Sequence, residues 1–264
     1  MPHREKTVNS RSDPRLGIFT GRVRSFGEVT STNDVVAGWA DAGGEEGLVA
    51  IADSQSRGRG RLGRSWSSPA GAGLYISALL RPPDIAMPFV TLAAGAALAD
   101  GIEASTTLRT ILKWPNDVCV PLPDGSWRKL AGILAEARTA PDGVRYVVLG
   151  IGVNVTPAAH PPEVLNRSTS IEAEVGGPVN REALIVECLA ALSGAYEMLR
   201  RGEAATILDA WTSRATATFG RHVVWEGEGG DVRGVVEGID ASGALLIRTP
   251  SGHRRISAGE VRWI

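Results

Sequence analysis

Residues 48–80 read LVAIADSQSRGRGRLGRSWSSPAGAGLYISALL. The two ends, Leu48–Ala52 and Leu74–Leu80, are short apolar runs rich in Val, Ile and Leu, the pattern of strands buried on both faces. Between them, Arg57–Arg64 sets four arginines and three glycines in eight positions, and Ser54–Pro83 carries five arginines and no acidic residue. Glycine lets the backbone come close to a ligand and turn N–H groups toward it, while arginine adds a forked donor for carboxylate or phosphate. Arg-Gly tracts in tails usually mark solvated nucleic-acid binding. This one lies between two hydrophobic strands, so it reads as an anion-binding loop, and as neither a Walker loop nor a dinucleotide fingerprint.

Two further constellations lie downstream. In Lys113-Trp-Pro-Asn-Asp117, Pro115 holds Trp114 extended, so the segment leaves the strand Ile111–Lys113 and turns at Asn116-Asp117. Asp117 then stands at a strand end, either as a presented carboxylate or as the acceptor of an Asx turn. Pro121–Trp127 (PLPDGSW) has turn chemistry and projects as a hairpin loop. Lys129 opens a segment with an apolar interior, Leu130–Ala137, and taken alone reads as a sheet-edge lysine. Tyr146–Ile151 is the next strand, and Gly150-Ile-Gly-Val-Asn154 ends it on a polar amide.

Helices frame these strands. Ser31 or Thr32 caps one running to about Asp41, with Val35, Val36, Trp39 and Ala40 on one face. Val90–Ala104 is so rich in Ala and Gly that a neighbour must pack closely on it. Arg181–Arg200 places Leu184, Ile185, Cys188, Leu189, Leu192, Tyr196 and Leu199 on one stripe, and a short helix follows to about Arg214. From Phe219 the helical period disappears, and HVVWE, VRGVVEGI, ALLIRT, HRRIS and VRWI alternate with glycine turns, which suggests a small β-barrel. The expected organisation is a loose arm over 1–24, a catalytic α/β (α+β) domain over 25–215 with a mixed sheet and flanking helices, and a small SH3-like β-barrel over 216–264.

Composition narrows the function classes. The chain of 264 residues is long enough to bury roughly 73% of its extended surface without a disulfide or metal staple. With 28 Lys+Arg against 29 Asp+Glu, net charge −1 excludes a globally basic nucleic-acid binder. Three Tyr and four Phe leave few stacking platforms for single strands. Two cysteines 69 residues apart, with no CxxC pair, argue against a zinc site and for a reducing, cytoplasmic setting. No apolar run approaches the ~18 residues of a membrane span, and the basic N-terminus lacks the apolar core of a secretory signal.

In order and spacing, STN at 31–33, GRGRLGR at 58–64 with Trp66 behind it, KWPND at 113–117, KLAGIL at 129–134 and GIGVN at 150–154 resemble the biotin–protein ligases. With the C-terminal barrel, the resemblance covers nearly the whole chain. It implies a catalytic domain like that of class II aminoacyl-tRNA synthetases. It also implies activation of biotin by ATP and Mg2+ to biotinyl-5′-AMP, then transfer to a lysine of a biotin carboxyl carrier protein of a carboxylase. Ser31, Thr32 and Gln55 match positions near the ureido head of biotin, Asn33 is implied as a further biotin-binding residue, and Gly58 and Arg59 match the binding loop. Arg61 and Lys129 match the positions that meet the carboxylate and phosphate, and Gly132 and Gly150 lie where backbone faces biotin. Trp66 matches an adenine-stacking position; Arg59, Arg61, Asn154 and Arg262 match nucleotide contacts. Asp117 would orient the acceptor lysine and help take its proton, and no protein metal site is expected. Bringing two anions to 4 Å costs about 4 kcal/mol at an effective dielectric of 20, so interposed cations are a physical need.

The family's bifunctional members carry an N-terminal winged helix-turn-helix; about 24 residues before the first motif are too few for it, so DNA binding is not expected. The runner-up is a lipoate or octanoate ligase of related fold, which needs an apolar channel for an aliphatic chain. Monomer and homodimer, the carriers used, and the roles of Asp34 and Pro121–Trp127 stay open at this level.

Overall fold

The computed structural model describes residues 12–140, 143–227 and 230–264. Along the chain run β1 (Val23–Val29), α1 (Thr32–Asp41), β2 (Val49–Gln55), β3 (Gly73–Leu80), α2 (Val90–Thr106), β4 (Ile111–Lys113), β5 (Asp117–Pro121), β6 (Trp127–Ala140) and β7 (Gly143–Asn154). There follow α3 (Ile171–Val175), α4 (Arg181–Arg200), α5 (Ala204–Arg214), β8 (His222–Gly227), β9 (Gly230–Ile239), β10 (Leu245–Thr249), β11 (Gly252–Ile256) and β12 (Glu260–Trp263).

The first seven strands form one mixed sheet in the order β1-β2-β3-β7-β6-β5-β4. Strands β1 and β2 pair in parallel through the α1 crossover, and the remaining neighbours are antiparallel. Every residue of β3 is buried, because alternate side chains feed two cores. Leu74, Ile76, Ala78 and Leu80 join α2 and α4 on one face, while Leu79 meets Val36 and Ala40 of α1 on the other. The Ala- and Gly-rich face of α2 has its close neighbour: a Cβ built on Gly101 would lie 2.5 Å from the Cα of Cys188 on α4. By length and hydropathy Asp84–Thr106 would pass as a membrane span, contrary to the sequence reading. Most of it is covered by protein, which identifies it as a core helix.

The expected loose arm over 1–24 needs correction where it is described; residues 1–11 lie outside the described residues. Asp13 accepts from the N–H of Arg15 at 2.9 Å and starts a short turn of 3-10 helix, Pro14–Phe19. Leu16 and Phe19, on either side of a break at Gly17 (φ +53), are both buried in the main core. Arg15 pairs with Glu187 of α4 at 2.8 Å. The first strand then begins at Val23, ahead of the expected domain start at 25.

The five C-terminal strands form a second, antiparallel sheet in the order β11-β10-β9-β8-β12. Strands β11 and β12 occupy opposite edges, yet only Ser257–Gly259 join them. A flat five-stranded sheet would separate its edges by about 19 Å, and so short a link spans at most about 14 Å. The sheet must therefore curl, giving the small barrel that the sequence suggests. Val223, Val236, Leu245, Ile247 and Ile256 share one core with the seven-stranded sheet, and the Trp114 indole donates to Gly243 O at 3.0 Å.

Candidate active site

A cleft of about 1140 Å3 opens where β5, β6 and β7 meet the β2–β3 loop, the segment after β7 and the last strand, β12. Its floor is made of glycines. Gly132 on β6 faces Gly152 on β7 in register, and the Trp66 ring lies over both. A Cβ on Gly152 would come within 2.6 Å of the indole nitrogen, and one on Gly132 within 2.9 Å of the ring edge. Gly150 is equally constrained, because a side chain there would clash with the Asn33 amide. The indole N–H of Trp66 is buried without a protein partner.

The β2/β3 side of the cleft is neutral and polar. Ser31 caps α1, its hydroxyl accepting from the N–H of Asn33 at 3.3 Å. The Gln55 side-chain oxygen accepts from the backbone N–H of Thr32 at 2.8 Å and from its hydroxyl at 3.1 Å; the Gln55 amide donates to Ser68 Oγ at 2.8 Å. Ser77 Oγ lies 2.7 Å from Thr32 Oγ1 and 2.5 Å from Asn33 Oδ1. Ser77 is a site residue the sequence reading missed. Its signal was a lone hydroxyl inside LYISALL.

Above this side stands the Arg/Gly loop, a small hairpin in which Gly60 N–H donates to Arg64 O and Trp66 N–H to Gly58 O. A side chain on Gly58 would run into Trp66 O and Ser68 Oγ, so this close approach needs glycine. Leu62 sits at the tip with φ +56 and is exposed. Gly58, Gly60 and Gly63 do keep the GxGxxG spacing, but the loop joins two antiparallel strands and opens no helix, so it is no dinucleotide fingerprint on structure either. Arg59 bonds to Asp34 at 2.8 Å and Glu136 at 3.0 Å, which gives Asp34 a role the sequence left open.

The β5/β6 side is charged. The Lys129 ammonium lies 2.5 Å from Asp117 Oδ1 and 5.3 Å from the Trp66 ring centre; Lys113 lies 3.5 Å from Asp117 Oδ2. Lys113 pairs with Asp117 in register across the β4–β5 hairpin, and this pairing, readable only once the hairpin is known, is why Lys113 escaped the sequence reading. Asp117 does not present its carboxylate outward as expected: its side chain is 15% exposed and clamped by both lysines. Burial pushes that carboxyl up, but Lys129 and Lys113 outweigh it and hold it below the ordinary carboxylate range. Burial, with Asp117 adding, pushes the neighbouring Cys119 thiol up to about 12. Arg61 donates to Asn116 Oδ1 at 3.3 Å and to Gly259 O, in the β11–β12 turn, at 3.4 Å.

Lys129 also sits at an irregularity of its strand. Cys119 pairs with Lys129 and Val118 with Ala131, leaving Leu130 as the extra residue of a bulge. The backbone of Lys129 turns instead to the cleft wall, its N–H donating to Arg167 O and its carbonyl accepting from Thr169 N–H. Asn154 is buried and donates to Thr169 O at 3.0 Å. Arg262 lines the cleft from β12 with its guanidinium 3.6 Å from Asp231. Of the residues singled out from the sequence, only Gly58 stands behind the cleft lining. Among the described residues no three His, Cys, Asp or Glu side chains are grouped to hold a metal.

A family model described as the biotin/lipoate A/B protein ligase family matches residues 26–154, and one described as the biotin protein ligase C terminal domain matches 218–262. The chain is 37% identical over 263 residues to the biotin–[acetyl-CoA-carboxylase] ligase of Mycobacterium tuberculosis, covering 96% of this chain and 93% of that one. It is 37% identical over 226 residues to the enzyme of the same name from Paracoccus denitrificans, covering 80% and 88%. Among solved structures, a biotin protein ligase from Aquifex aeolicus in complex with biotin and ATP superposes with TM-score 0.79 at 28% identity, over 92% of this chain and 98% of that one.

Proposed function

The chain belongs to the biotin protein ligase family, and from that premise we propose how its cleft divides the work. The enzyme is an ATP-dependent ligase: it activates biotin to biotinyl-5′-AMP with release of pyrophosphate, then passes the biotinyl group to a lysine of a carrier protein. The observation that carries the residue roles is the polarity of the cleft. Neutral donors and acceptors of α1 and β2 stand at one end, Lys113 and Lys129 at the other, the arginines of the β2–β3 loop stand above, and a glycine floor joins the two ends.

Biotin has the same polarity. Its ureido head suits Ser31, Thr32, Asn33 and Gln55, with Ser77 fixing their hydroxyl and amide directions. Its apolar body would lie along the β6–β7 floor near Gly132 and Gly150, which requires the Trp66 ring and the Lys129 side chain, both over Gly132 in this structure, to draw back. Its carboxylate then reaches Lys129 and Arg61, which offset the repulsion between carboxylate and α-phosphate. Adenine stacks on Trp66, beside Asn154 and Arg262. The lipoate alternative is disfavoured because this end of the cleft is lined by hydroxyl and amide groups rather than by the apolar channel a lipoyl or octanoyl chain needs. Asp117, held between two lysines, serves as their counter-ion and positions Lys129.

Mg2+ supplies charge neutralisation of the triphosphate. The Asp117 carboxylate beside the cleft lysines is already taken by both of them, so the ion would enter with the nucleotide, bound by phosphate oxygens and water. Two buried, unpaired cysteines fit a cytoplasmic setting. The test is transfer itself: purified enzyme, biotin, Mg·ATP and a biotin carboxyl carrier domain should yield carrier heavier by one biotinyl group. A carrier whose target lysine is replaced by arginine should gain no mass. Labelling of that control, or no labelling of either, would overturn the assignment.

A further inference from the structure

We infer that Glu136 is a positioning residue that orients Asn33 and clasps the Arg/Gly hairpin over the biotin end of the cleft; the inference deepens the ligase reading and rests on it. Glu136 stands on β6 and does not line the cleft, whereas the two side chains it binds, Asn33 and Arg59, both do. Its Oε2 accepts from Asn33 Nδ2 at 2.5 Å and from Arg59 Nη2 at 3.0 Å. The other guanidinium nitrogen, Nη1, meets Asp34 of α1 at 2.8 Å. One arginine of the hairpin is thus gripped by carboxylates from two elements of the main layer.

The same oxygen settles the Asn33 amide. Asn33 is 4% exposed, its oxygen faces Ser77 Oγ, and its nitrogen is therefore committed to Glu136. Electrostatics gives the clasp a purpose. The hairpin carries four arginines and closes onto a rim that already holds Lys113 and Lys129, so like-charge repulsion favours an open loop. Asp34 and Glu136 supply the counter-charge at the hairpin base. The tip is held by longer bonds from Arg61.

The test uses the full chain with Glu136→Gln, which keeps an oxygen for Asn33 but removes the charge facing Arg59, and with Asp34→Asn on the other side of the clasp. Without substrates, trypsin should cut Arg57–Arg64 about three- to tenfold faster in each variant than in wild type. The ratio should fall toward one in 0.5 M salt, where the wild-type clasp is screened. In ATP–pyrophosphate exchange, KM for biotin should rise about three- to tenfold, with kcat within twofold and KM for ATP unchanged. Equal cutting in all three proteins would overturn the clasp, as would a matched loss of kcat and melting temperature with KM for biotin unchanged. Digestion is read without substrate, so a wild-type enzyme inactive with biotin would sink the ligase reading and leave the clasp separately decided.

Discussion

Lys129 and Asp117 together show what a single residue can and cannot reveal. In the sequence Lys129 is a lysine at a strand start, indistinguishable from a sheet-edge residue until KLAGIL is set beside the other motifs. In the structure its ammonium is held by Asp117, lies against Trp66 and hangs from a bulge that ties its backbone to the cleft wall. Replacing it with alanine should slow adenylate formation by about 10²–10³-fold, the cost of removing one preorganised charged donor (about 2.7–4 kcal/mol). Asp117→Asn leaves Lys113 and Lys129 as two ammoniums without their shared counter-charge. Both half-reactions should therefore slow, measured separately by pyrophosphate exchange and by single-turnover transfer from preformed adenylate. Loss confined to transfer would restore the simpler role of an outward-facing base. The triangle was illegible beforehand because it depends on strand register, which brings position 129 beside 117 and 117 opposite 113.

Elements were more legible than side-chain partners. The capped start of α1, the continuous apolar run of β3, the hairpin turn after β5 and the stripe on α4 are local patterns, and each is where the residues put it. The composition of α2 even required a close partner, although not which one. Gly101 names it: any side chain there strikes the α4 backbone at Cys188. Gly101→Ala should lower stability by about 1–3 kcal/mol, the usual range for overpacking, measured as a smaller urea midpoint at unchanged m-value. A neutral result would mean that α2 and α4 are not pressed together at that point. Residues 12–22 were misjudged because charge, Ser and Pro hide two apolar side chains, Leu16 and Phe19, whose burial depends on surfaces made far away in sequence. The partners of Arg59 were hidden for the same reason, since Asp34 and Glu136 lie on separate elements.

At the scale of the molecule, acid should loosen each part from within. Glu103 is held below the ordinary range by its bond to Arg214, with burial opposing. Burial pushes the Asp240 carboxyl up, but bonds from Ser242 and Arg255 prevail and hold it at about 2. Carboxyls depressed in the folded state add stability that is present above the unfolded value near 4 and is lost as pH falls through the folded one. Urea midpoints should therefore fall most steeply between about pH 4 and 2. Asp240→Asn should reduce that fall, by at most about 2 kcal/mol. A midpoint that rose on acidification would reverse the sign and refute the account of these groups. The chemistry of the whole cleft, a neutral end for a ureido head and a cationic end for two anions, is decided by isotope exchange of pyrophosphate into ATP, run with biotin, lipoate and octanoate in parallel. Exchange that requires the enzyme and biotin, and stays at background with the other two acids, is the result this architecture predicts; exchange supported equally by lipoate or octanoate, or absent with biotin, would contradict it.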